Sequence, residues 1–270
     1  MAEPPRVGTF TPRAPLGEMA PCSSCDGFPE HFNLRIGPNY SKKGLKAPSG
    51  PALFEFAGMD VVHSADPILD ISSRFKFPPR FTGAPHNGVP EYVVLNMQVP
   101  VGKTDLINPK LTGESMNIVL YFAMTDALKN HLASPASAPP AVKLFSEYCC
   151  IAPTIPWNKG KEEPGFRGRF KLMALVEGLP KVLNEFNGKP VLLTKSSSVT
   201  LGENYLEVDC NLRCWNVVAR KAVTSVWGDV KGMKMEIGMT IEAREDDEMP
   251  EQILGCCQVS QMDWGVAREG

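Results

Sequence analysis

Between Leu201 and Ala243 the hydrophobic period of the chain changes twice, and few architectures accommodate such a switch. Leu206, Val208, Cys210 and Leu212 alternate with Tyr205, Glu207, Asp209, Asn211 and Arg213, the pattern of a half-buried strand. Trp215, Val218, Ala219, Ala222, Val223, Val226, Trp227 and Val230 then fall three or four apart, with Asn216, Arg220, Lys221 and Thr224 between them, which predicts an amphipathic helix of about four turns. After Gly232 the period returns to two, and Met233, Met235, Met239, Ile237, Ile241 and Ala243 share a face. Strand, helix and strand with one apolar face each imply a helix packed on a sheet.

Flanking segments extend this pattern. Ala52–Val62, Tyr92–Val99, Ile118–Met124, Val191–Leu201 and Ile253–Met262 read as strands, and Gly58 inside the first marks a bulge. Phe170–Val176 fits a strand or a helix. Ile118–Met124, apolar on both faces, belongs in the middle of a sheet. Thr125 is placed to cap a short helix through Leu132, and Pro180 to open one through Phe186. Ser134–Pro164, broken by prolines, reads as the longest irregular excursion. The expectation is an α+β domain with a curved, largely antiparallel sheet of about six or seven strands against two or three helices. Residues 28–270 would form it, behind a Pro-rich flexible tail of residues 1–27.

Composition excludes several functions. The 28 basic and 30 acidic residues leave a net charge of −2, so no overall field draws the chain to nucleic acid. No apolar run is long enough to span a bilayer and no secretory signal opens the chain, so a cytoplasmic protein is expected, with peripheral membrane association as its one route to a bilayer. The eight cysteines read as reduced thiols, with Cys210, Cys256 and Cys257 as small core residues. Cys22 and Cys25 have the spacing of half a zinc knuckle, but no second pair follows and the nearest histidine is His31, so neither a metal nor another cofactor is expected.

No nucleophile elbow, phosphate loop, dinucleotide fingerprint or zincin motif is present, and no catalytic residue is assigned. His63 lies near Asp60 and Asp66 but reads as a surface histidine at a strand end. Glu207 and Asp209 share a strand face, a spacing open to acid–base work and equally to an ordinary solvent-facing strand. The stretch from Trp157 to Lys171 places Lys159, Lys161, Arg167, Arg169 and Lys171 among Trp157 and Phe166. A basic loop with aromatic tips suits an anionic lipid headgroup, and Lys42, Lys43 and Lys46 would join it if the fold brought them near. Trp215, Trp227, Met233, Met235 and Met239 are candidates to line an acyl-chain cavity, or simply to fill a core.

Several phrases also occur in a known order. Gly37–Asp60, Tyr92–Pro100, Asn117–Thr125, Arg167–Leu193, GENYLEVD at Gly202–Asp209 and MPEQILG at Met249–Gly255 resemble the C-terminal domain of the plant Enhanced Disease Resistance proteins, over roughly Phe28 to Trp264. In that family the domain usually follows pleckstrin-homology and START modules, for which these 270 residues have no room. The resemblance implies a non-enzymatic binding module for a lipid or membrane surface in trafficking or stress signalling. A protein-interaction domain using the Pro-rich loop and tail, and an acyl- or lipid-processing enzyme, are the alternatives.

Overall fold

Alternating apolar residues sort the strands into two sheets that share one core. The computed structural model describes residues 23–81, 88–102, 110–158, 165–179, 184, 187–221 and 230–270, which form an α+β fold with mostly antiparallel pairing. One sheet has the order β1 (Ser23–Asp26), β12 (Gly255–Ser260), β11 (Lys234–Ile241), β7 (Phe170–Val176), β8 (Val191–Leu192). The other runs β13 (Arg268–Glu269), β4 (Phe54–Ser64), β6 (Ser115–Met124), β5 (Tyr92–Pro100), β10 (Tyr205–Asn211), β9 (Ser197–Leu201), with β5–β10 and β4–β13 parallel. A small hairpin, β2 (Asn33–Arg35) with β3 (Lys46–Pro48), carries the single turn α1 (Tyr40–Lys43).

The inner faces meet in the main core. Leu206, Val208, Leu95, Leu120 and Phe122 come from the six-stranded sheet, and Ile237, Met239, Ile241, Phe170 and Cys257 from the five-stranded one. Strands β10 and β11 therefore lie in different sheets and do not flank a helix on a common one. The bulge expected at Gly58 is present as a register shift between Phe56 and Gly58. β6 is buried along its whole length between β4 and β5.

Both outer faces are covered as well. Phe32 and Leu34 close the five-stranded sheet, with the Phe32 ring over Gly238 so closely that a Cβ there would lie 2.8 Å from the ring. Residues 65–81 cross the six-stranded sheet and bury Ile68 and Ile71 against Val94, Val119 and Tyr121. A strand covered on both faces has no solvent side, so the alternating polar residues of β5 and β10 are interior.

Four local expectations change. Residues 23–26 are a sheet strand and not part of a tail, because Cys25 and Asp26 pair with Gln258 and Cys257. Val191–Leu201 is two strands separated by a turn. Residues 217–221 are helical, with Asn216 capping Ala219 N, but Val218 is exposed and Arg220 buried, so this turn faces the reverse of the expected way. The Pro-rich excursion contains α3 (Pro140–Ile151), whose Val142, Leu144, Phe145, Tyr148 and Cys149 enter the core. Its opening prolines occupy the positions where no intrahelical N–H is needed. The helix expected at Pro180–Phe186 lies outside the described residues.

Thr125 does cap α2 (Asp126–Leu132): its Oγ1 accepts from Leu128 N at 3.2 Å and donates to Leu53 O at 2.8 Å. Thr125→Ala is expected to lower unfolding free energy by about 1 kcal/mol, measured by urea denaturation.

Candidate functional site

The cations of the Trp157–Lys171 stretch part company in the structure. Arg167 and Arg169 sit on a 3-10 turn (Gly165–Arg169) that delivers them inward as the chain enters β7. Arg167 is 0% exposed, and its guanidinium donates to Ser197 O while its carbonyl accepts from Tyr148 Oη at 3.0 Å. Arg169 pairs with Glu248 at 2.7 Å and stacks on Phe166. Lys171 pairs with the buried Glu251, and burial pushes its pKa down. These three are interior ionic and polar anchors, not a solvent-facing loop, because their acceptors come from strand ends and turns distant in sequence. Lys159 and Lys161 lie outside the described residues.

Trp157 keeps a peripheral position. Its indole N–H donates to Lys195 O at 2.9 Å, which fixes the ring beside the turn that follows β8. β8 is an edge strand, and its Val191 and Leu192 are 42% and 36% exposed. Lys189 and Lys195 stand exposed before and after it and form no ion pair with a described residue. An aromatic ring, two adjacent apolar residues and two exposed cations thus gather on one edge. The sequence signal is Lys189-Pro-Val-Leu-Leu-Thr-Lys195, whose flanking lysines are unusual for a strand meant only for a core.

The Lys42, Lys43 and Lys46 run lies on the exposed turn of the β2–β3 hairpin, with Leu45 49% exposed. Asn39 N donates to Asp246 of the acidic turn Asp246–Glu248, which offsets its charge.

The methionines fill space. Met239 belongs to the main core, where a Cβ on Gly255 would meet its Cε at 2.9 Å and Phe122 at 2.6 Å. Met233 is buried, and Met235 and Trp215 pack partly buried against the core. The described members of this group thus pack against the main core, and Trp227 lies outside the described residues. A small apolar pocket of about 200 Å³ does occur elsewhere, between α2 and α3, walled by Leu132, Pro135, Ala138 and Val142, with His131, Lys143 and Ser146 also lining it.

Glu207 and Asp209 are neither solvent-facing nor open to substrate. Glu207 accepts from Ile71 N (3.0 Å) and Ser72 N (2.8 Å); Asp209 accepts from Asp70 N, Asn96 Nδ2 and Ser198 Oγ at 3.2, 2.8 and 3.0 Å. Burial, then the neighbouring Glu207 charge, raises Asp209 well above the usual carboxylate range. His63 remains at the end of β4, but its partners are Glu114 and Glu269, at 2.7 and 3.2 Å, not Asp60 or Asp66. Its bonds to Glu114 and then Glu269 raise its pKa, so the imidazolium that binds both is lost as pH rises through that raised value.

Among the described residues no group of three or more His, Cys, Asp or Glu could hold a metal. Cys25 faces Gln258, burial raises Cys210 to about 12, and Cys149, Cys150, Cys210, Cys214, Cys256 and Cys257 are free thiols. No described helix is long and apolar enough to cross a membrane.

No curated protein and no solved structure matches the chain significantly. A family model does, described as "Protein ENHANCED DISEASE RESISTANCE 2, C-terminal", and it matches residues 25–263. Its first matched residue falls in β1 and its last just beyond β12, so the match takes in both main sheets apart from the edge strand β13. The chain belongs to the Enhanced Disease Resistance 2 C-terminal domain family.

Proposed function

We propose that this domain is a non-enzymatic module that binds an anionic lipid surface from the cytosol, through the β8 edge. The observation that carries this reading is the exposed pair Val191 and Leu192, set between the exposed cations Lys189 and Lys195 and beside the Trp157 ring that Lys195 O holds in place. Apolar side chains enter the interface, an indole prefers its headgroup level, and lysines meet phosphates. Lys159 and Lys161, two and four residues beyond Trp157, would add to the same contact. Arg167, Arg169 and Lys171 support it from inside, by fixing the turn and strand on which β8 rests.

Each lysine near an anionic surface contributes about 1 kcal/mol. Lys189→Gln with Lys195→Gln is therefore expected to weaken binding to mixed phosphatidylcholine–phosphatidylserine vesicles about 30-fold. Val191→Ser with Leu192→Ser should weaken it further, with unfolding unchanged. Flotation measures both. Wild-type protein that stays unbound at low salt would exclude this function.

A protein-interaction role is the second reading, and the free edge of β8 favours it, since β8 pairs with β7 alone among the described strands. A partner adding a strand there would use the same Val191 and Leu192. Loss of vesicle binding in both variants, with no effect from proline at residue 191, would count against that reading.

A further inference from the structure

Residues 65–77 cross the outer face of the six-stranded sheet as a strap, and no backbone–backbone hydrogen bond among the described residues joins residues 65–81 to that sheet. The sheet holds the strap's backbone with side chains instead. Asn117 Oδ1 accepts from Ile68 N at 3.1 Å, and Ile68 O accepts from Asn96 Nδ2 and Gln98 Nε2 at 2.8 and 2.6 Å. Asp209 accepts from Asp70 N, and Glu207 from Ile71 N and Ser72 N. The first two amides of the Ile71–Arg74 turn are thereby capped by Glu207, and the Asp70 amide before them by Asp209.

Those carboxylates stand on one face of β10, two residues apart, both at most 1% exposed. Asn96 Nδ2 reaches both, at 2.8 Å to Asp209 Oδ1 and 3.4 Å to Glu207 Oε1. Gln98 Nε2 also reaches Asp209 Oδ1, at 3.3 Å, and no lysine, arginine or histidine is among the hydrogen-bond or ion-pair partners of either carboxylate. Two buried carboxylates this close do not both ionise without a cation; they retain a proton between them.

We propose that the strap is a proton-linked latch, in which Glu207 and Asp209 share one proton taken from solvent as the strap docks and returned to it as the strap lifts. The other titratable groups facing the pair do not replace that proton. Tyr205 on β10 donates to Asp70 on the strap at 2.8 Å, and burial raises its own pKa. Asp60 on β4 is in register with Val119 and so with Asn96 and Asp209, and adds no positive charge. β5, β6 and β9 present neutral Asn96, Gln98, Asn117, Tyr121 and Ser198. On the strap, Arg74 and Lys76 point to solvent.

Burial and the Glu207 charge raise Asp209, in keeping with this geometry. With the strap lifted the pair faces water, and the proton that burial holds on it is released in the ordinary carboxylate range. Docking then takes up one proton throughout the window above that range and below the raised value. The closed-to-open ratio falls about tenfold per pH unit across that window, as one proton per closure requires.

The test is hydrogen exchange of the Asp70, Ile71 and Ser72 amides from about pH 5 to about pH 9, corrected for intrinsic base catalysis and compared with the Leu120 and Val208 amides of the core. The expected result is a loss of strap protection of about tenfold per pH unit, while core amides stay protected. Asp209→Asn supplies the shared hydrogen permanently, so its strap protection should be independent of pH. Glu207→Gln makes the same substitution from the other side and serves if the first variant does not fold. Wild-type strap protection that is flat with pH, or a slope that either folded variant retains, would overturn the latch.

Discussion

Glu251→Ala is expected to cost about 3–5 kcal/mol of unfolding free energy, because it removes one partner of a buried ion pair and leaves the other uncompensated. Lys171 is 2% exposed and has Glu251 as its ion-pair partner. The same carboxylate accepts from Ala243 N at 3.0 Å and from Arg35 N at 3.3 Å, so its loss also strands two backbone donors. Replacing both charges, Lys171→Met with Glu251→Met, should recover a good part of the loss, since the charge no longer has to be desolvated. Urea denaturation followed by circular dichroism gives both values, and a cost below about 1 kcal/mol for Glu251→Ala would show the pair to be dispensable.

The pH dependence of that variant has a definite sign. Burial lowers Lys171 below its ordinary value, and Glu251 opposes the shift. Without Glu251 the folded value falls further. A lysine whose folded value is below its unfolded value gives up a proton on folding, so the stability of Glu251→Ala rises with pH between the two values. The wild type should show a weaker rise.

Phe145→Ala should cost a comparable amount, about 3–5 kcal/mol, as large-to-small changes at fully buried aromatics do. Phe145 is buried on α3, and its ring meets Phe54 of β4 edge-on, with centroids 5.4 Å apart and planes at 76°. The same change on a surface loop would be nearly silent. Thermal unfolding therefore decides whether the Pro-rich excursion is core or periphery: a midpoint within a degree or two of wild type would place α3 outside the cooperative unit.

That helix also shows where the sequence was hard to read. Val142, Phe145, Cys149 and Ala152 recur at helical spacing, yet the prolines around them read as irregular chain. Pro139 and Pro140 precede the first needed N–H, so they start the helix and do not break it. The apolar faces of β10 and β11 were legible because period two survives any partner, and β6 because an unbroken apolar run needs a covered strand. Which sheet each strand joins was not, since a pattern of one apolar face says nothing about which layer meets it.

The candidate site was legible only in part. Trp157 stands out in the sequence and remains peripheral. Arg169 and Lys171 beside it read as a surface patch, because their partners Glu248 and Glu251 lie about eighty residues away, and so does Arg167, whose acceptor Ser197 comes from a later strand. Glu207 and Asp209 misled for a related reason. Polar alternation means solvent only when nothing crosses the sheet, and here residues 65–77 do.

The strand order carries one more consequence, for how the chain acquires its shape on the ribosome. β1 zips onto β12, and β5 runs parallel to β10, so the first strand waits for nearly the last and the middle waits for a segment more than a hundred residues later. Loops of that span close slowly, and their entropy is lost before contacts reward it. A nascent chain stopped before β10 has one edge of β5 unmatched and the Asp70, Ile71 and Ser72 amides without the carboxylates that hold them. Such a chain would hold its aromatic strands exposed until β10 and β12 have emerged, and would depend on chaperones for that interval.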